Sequence, residues 1–169
     1  MLRREIFTCA VAFVATLSAV PVVAQVPASK LRPQNVRITT WLANGRARSP
    51  TLRALIARID ASDVLVYLDV LPALRPGVSA ALTFMGDTPY GRMVRVSIRP
   101  DLSGREAMAM LAHELQHVVE LLEHPDVRSE AAFEALFRRI GRPSTFAERH
   151  FDTEAALDTG DRVRHELAS

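Results

Sequence analysis

Met108-Ala109-Met110-Leu111-Ala112-His113-Glu114-Leu115-Gln116-His117-Val118-Val119-Glu120-Leu121-Leu122 is the stretch on which the reading of this chain turns. Met108, Leu111, Leu115, Val118 and Leu122 recur at helical spacing and form an apolar stripe. His113 and His117 stand on the other side, four residues apart, so a helix presents both imidazoles on one face, within reach of one Zn2+. Glu114 sits about 100° round the helix from His113 and about 60° from His117. There its carboxylate flanks the metal without ligating it and can act as general base toward a zinc-bound water. A helix that is apolar on one side and metal-binding on the other has to be buried on both, with a sheet on one side and a cleft on the other. Asp101 or Ser103 caps its start, and His124-Pro125 ends it after about Glu123.

Two histidines and a water leave one protein ligand to find. The metzincin spacing puts it at Glu123 but needs a glycine turn at position 120, where Glu120 stands. A thermolysin-like spacing lands on Phe137, which cannot ligate. Glu130 and Glu134 lie on a helix whose buried stripe is Phe133, Leu136, Phe137 and Ile140 and which Gly141 and Pro143 end. Both glutamates read as its solvated face. The last helix, residues 152–167, supplies the remaining acids. Glu154 and Asp158 form an E-x-x-x-D pair of the gluzincin kind, in which the Glu binds zinc and the Asp orients a histidine. Ala156, Gly160, Val163 and Leu167 share the inward face, however, and Asp152 extends it, whereas Glu154, Asp158, Asp161 and His165 lie opposite. An inward carboxylate needs a cation. Asp152 is therefore the favoured third ligand and Glu154 the alternative.

Upstream, Val64-Leu65-Val66-Tyr67-Leu68-Asp69-Val70 reads as a strand, residues 80–85 as a weaker one, and residues 93–98, with alternating arginines, as a half-exposed third. Turn residues at Pro72, Pro76, Gly77 and from Gly86 to Gly91 suggest an antiparallel meander. Ser49-Pro50 opens a helix carrying Leu52, Leu55, Ile56 and Ile59. Residues 25–48, with Pro27, Pro33, Asn44-Gly45 and many arginines, read as an extended lead-in. The predicted fold over 49–169 is α+β: a small antiparallel three-stranded sheet packed on the H-E-x-x-H helix, with further C-terminal helices.

Arg3 and Arg4 precede an uncharged stretch from Ile6 to Ala24 that ends Pro21-Val22-Val23-Ala24. This is the pattern of a secretory signal peptide, residues 1–24, with an uncleaved membrane anchor as the alternative. Cys9, the single cysteine, falls inside it, so the exported chain carries no disulfide. At 169 residues and 49% hydrophobic, the chain has room for one domain and is too apolar for disorder. Its net charge of +2 is spread without a block of like charges, so nucleic acid is not an expected partner.

Leu111-Ala112-His113-Glu114-Leu115-Gln116-His117, followed by a helix and by Phe151-Asp152-Thr153-x-Ala155-Ala156…Gly160…Val163…Glu166-Leu167, resembles a group of small exported bacterial zinc-metalloprotease-like proteins. The resemblance spans roughly the last two-thirds of the chain. It implies a zincin-like fold and an acidic ligand before Thr at the position of Asp152, and it implies no substrate. The expected function is a zinc-dependent metallopeptidase-like hydrolase acting on a peptide or protein. The expected location is periplasmic or secreted, without stable membrane insertion once the signal is cleaved. Tyr90, His124 and His150 are candidate oxyanion stabilisers, while Tyr67 and Trp41 read as packing residues. The alternative is an exported, zinc-stabilised binding module without catalysis, because a mature chain of about 145 residues has no second lobe to clamp a peptide.

Overall fold

The computed structural model describes residues 29–72, 74, 77–143 and 151–168. The expected signal segment, residues 1–24, and His150 lie outside the described residues. No helix of the described residues is long and apolar enough to cross a membrane. The elements run β1 (Leu31–Pro33), α1 (Val36–Arg48), α2 (Pro50–Asp60), β2 (Val64–Val70), β3 (Ala80–Thr88), β4 (Gly91–Ile98), α3 (Gly104–Leu122), α4 (Glu130–Ile140), β5 (Arg142–Pro143), β6 (Phe151–Asp152) and α5 (Glu154–Glu166). The architecture is mixed α+β, with a four-stranded sheet and a two-stranded one.

Residues 36–48 are helical, not the extended lead-in that their arginines and Asn44-Gly45 suggest. The Asn35 side chain accepts from the backbone N–H of Ile38 at 3.0 Å, a cap that starts the helix. Ile38, Trp41, Leu42 and Gly45 then form its buried face, and Arg37 lies over the Trp41 ring. Gly45 is tolerated because α2 crosses there: a Cβ at this position would stand 2.4 Å from Leu52 Cδ2. Ser49 closes α1 and caps α2, its hydroxyl accepting from Leu52 N–H at 3.0 Å.

The large sheet has the order β1-β2-β4-β3. β1 and β2 are parallel, as are β2 and β4; only β3 and β4 run antiparallel. The expected three-stranded antiparallel meander is therefore corrected. β3 takes the outer position, and β4 lies between it and β2. β2 is then flanked on both sides, which explains its nearly unbroken apolar run. α1 and α2 form the crossover that a parallel β1–β2 pair requires. β1 is short and ends in Pro33, which an edge strand accommodates. At the β3–β4 hairpin Gly91 has a φ of 125°, and a Cβ there would lie 1.9 Å from the Asp63 carbonyl oxygen.

Val64, Val66, Leu68, Phe84, Val94, Val96 and Ile98 point from one sheet face into a core shared with Leu52, Ile56 and Ile59 of α2 and Leu111, Leu115 and Val118 of α3. Among the described residues Arg92 is the one Lys or Arg sunk in this packing, at 1% exposure. Its Nε and Nη2 donate to the two Asp63 oxygens at 2.9 Å each. Its Nη1 donates to the carbonyls of Leu121 and His124, at 3.0 and 2.8 Å, closing the C-terminal end of α3. The Arg92 hydrogen bond holds the Asp63 carboxyl below its ordinary value, against partial burial, which acts the other way. A lowered carboxylate pKa contributes stability that is present above the unfolded value, about 3.9, and is lost as pH falls through the folded one. Arg92→Met should lower the unfolding free energy by about 3 kcal/mol, through the stranded carbonyls and the unpaired Asp63. Asp63→Asn should flatten the acid limb of the stability curve measured by urea titration. A wild-type acid limb in Asp63→Asn would contradict this account.

Candidate metal and catalytic site

α3 is enclosed on both sides, and its polar face opens on a cavity of about 320 Å3. His113, Glu114 and His117 line it, each less than a tenth exposed. The opposite wall is the segment from Gly77 to Thr83, which includes the start of β3. Phe133, Glu134 and Phe137 of α4, with Phe151, Asp152 and Leu157, complete it. Among the described residues no Lys or Arg lines this cavity, whereas Glu114, Glu134 and Asp152 do.

Asp152 reaches the histidines from outside α3. Its Oδ1 lies 3.4 Å from His113 Nε2. Sequence phase placed Asp152 on the last helix; it instead ends β6, and α5 begins after Thr153. The Thr153 hydroxyl caps α5 by accepting from Ala156 N–H at 3.1 Å, which turns the preceding carboxylate inward. Glu154, the alternative ligand, points out from the first turn of α5 and is exposed. Ligand atoms of His113, His117 and Asp152 lie within 4.8 Å of one another. Donors at zinc-ligand distances of about 2.1 Å sit about 3.4 Å apart round a tetrahedron, so the His113–Asp152 edge already has that length.

The approach of α5 to α3 depends on Gly160. A Cβ there would come 3.3 Å from the Ala109 carbonyl oxygen and 3.5 Å from His113 Cβ. The two imidazoles meet edge to face, with centroids 4.9 Å apart, and His117 meets Phe137 in the same way at 5.1 Å. Burial depresses the His113 pKa. The Asp152 hydrogen bond and the negative charges of Glu114, Asp152 and Glu120 outweigh it, leaving the pKa raised.

Several expectations need revision. Glu134 is half-buried on the cavity wall, not on a solvated face, although Glu130 is exposed as expected. Ile140 is 38% exposed and lies outside the buried stripe of α4. Tyr90 is 94% exposed on the β3–β4 turn, and neither it nor His124 lines the cavity. Trp41 is buried packing, as read. Sequence reasoning missed Glu120. Its Oε2 lies 2.8 Å from His117 Nδ1, and its Oε1 accepts from the Thr153 hydroxyl at 2.5 Å. The available signal was its position three residues after His117, on the same helix face.

Gly160→Val should push α5 from α3 and cost about 1–3 kcal/mol, read as a lowered midpoint in thermal or urea unfolding. Asp158→Ala, on the exposed side of the same helix, should stay within about 0.5 kcal/mol of wild type. Equal effects of the two would contradict the close helix approach. No protein family, curated protein or solved structure matches the chain.

Proposed function

We propose that the protein is an exported, zinc-dependent metallopeptidase-like hydrolase with a zincin-like arrangement of its site. The observation that carries this reading is the convergence of His113, His117 and Asp152 beside Glu114 at one open cavity. Two imidazoles and one carboxylate are the donor set of catalytic zinc sites, which keep a fourth position open. The cavity's acidic lining, with no Lys or Arg among the described residues, also favours a cation. Bound there, Zn2+ would polarise a carbonyl and acidify water.

The chain's own residues supply the rest. Glu114 is buried next to the two histidines and offers a carboxylate to take the proton of the attacking water and return it to the leaving amine. β3 is an edge strand that pairs with β4 only, among the described residues, and its first residues line the cavity. An extended peptide can add to such an edge by main-chain hydrogen bonds, with its carbonyl directed at the site. Met110, Phe133, Phe137 and Leu157 offer an apolar seat for one of its side chains.

Purified wild type should take up one Zn2+ per chain, and His113→Ala/His117→Ala should take up none; equal metal content would overturn the reading. Asp152→Ala should weaken zinc binding far more than Glu154→Ala. Glu114→Gln should keep its zinc and lose about 10²–10⁴-fold in peptide cleavage. If zinc binds but wild type cleaves nothing across a diverse peptide library, the zinc-stabilised binding module is the better description.

A further inference from the structure

We infer that Glu120 is the positioning residue of the site. One carboxylate fixes the ring of His117 and, through Thr153, the strand end that carries Asp152.

The geometry is specific. A carboxylate only accepts hydrogen bonds, so the 2.8 Å contact with Glu120 Oε2 requires the proton of a neutral His117 ring to sit on Nδ1. Nε2 is then left with its lone pair, the form a metal needs. Neutral imidazole otherwise has two tautomers to divide between. The second oxygen of Glu120 receives the Thr153 hydroxyl at 2.5 Å. Thr153 follows Asp152 directly and also caps α5. Glu120 thus ties a donor on α3 to a donor 35 residues further on, between Asp152 and His117, which nothing local in the chain would bring into register. Glu120 is largely buried, with 12% of its side chain exposed, so water competes little for either bond. Phe137 packs edge-on against the same imidazole and limits its rotation.

The consequence for metal binding rests on the function proposed above, but the ring geometry does not, and the experiment separates the two. The ring nitrogens of His117 would be observed by 15N NMR in the metal-free protein at alkaline pH. Wild type is expected to carry the proton on Nδ1, and Glu120→Ala to shift it to Nε2. Zinc affinity in Glu120→Ala should fall about 10- to 100-fold. Thr153→Val should also weaken zinc binding, and Thr153→Ser should restore it. An Nε2 proton in wild type, or an unchanged tautomer in Glu120→Ala, overturns the assignment. So does unchanged zinc affinity once the tautomer has shifted. Should wild type bind no zinc, the metal reading fails and the tautomer comparison still decides the role of Glu120. If Glu120→Ala does not fold, Glu120→Gln keeps the shape and removes the charge. It should weaken zinc by about fivefold or more, and parity with wild type overturns the inference.

Discussion

The enclosure of α3 is the constraint round which the rest of the molecule is arranged. A single helix supplies the apolar face that seals the sheet and the polar face that lines the cavity, so both faces are largely withdrawn from bulk water. Leu111, Leu115 and Val118 gain from burial in the ordinary way. His113, Glu114, His117 and Glu120 do not, and each needs protein partners at the cost of fixed geometry. β6, Thr153 and α5 supply some of them: Asp152 faces His113, and Thr153 donates to Glu120. Gly160 permits this by thinning α5 where it meets α3. Contacts that stabilise the fold and contacts that shape the site are therefore largely the same contacts.

Both ends of α3 are held as firmly as its sides. Ser103 caps its start, accepting from Glu106 N–H, and Arg164 of α5 holds the carboxylate of Glu106 from across the interface. At the other end Arg92 threads from β4 to the carbonyls of Leu121 and His124. The helix can neither fray nor slide by a turn without breaking charge-assisted bonds. A site that needs side chains placed to within a fraction of an ångström gains from such an anchored frame.

The reading from sequence succeeded where periodicity and side-chain chemistry acted along one element. His113, Glu114 and His117 share a cavity because a helix phases them, and the inward face of α5 follows its apolar repeat. Asp152 faces the cavity, but from β6 and not from the last helix, because helix phase does not extend through a residue that ends a strand. The sheet differs from the expected meander for a reason that no local pattern carries: whether two strands are parallel depends on the order in which they join the sheet, and β4 lies between β2 and β3. α1 was missed because Asn44-Gly45 resembles a turn, and only the packing of Leu52 against Gly45 shows why glycine sits inside a helix there. The role of Glu120 is not legible in the sequence because its two partners, His117 and Thr153, belong to different elements.

Charge placement gives the cavity its character. The chain has 21 Lys and Arg against 19 Asp and Glu, so cations are not scarce. Several are committed elsewhere: Arg92 to Asp63, Arg99 to Asp101, Arg128 to Asp87 and Arg164 to Glu106. Round His113 stand the carboxylates of Glu114, Asp152 and Glu120, and among the described residues no Lys or Arg lines the cavity beside them. Their field raises the His113 pKa in spite of burial, so a proton on the imidazole relieves part of the repulsion. A raised histidine pKa adds stability below its unfolded value, about 6.5, and that stability is lost as pH climbs through the folded one. The divalent ion proposed above would compete with a proton for the same imidazole and the same negative field. Such a dication would answer this negative field better than one proton does. On this argument the acidic crowding that raises the His113 pKa is the feature that would favour the proposed divalent ion.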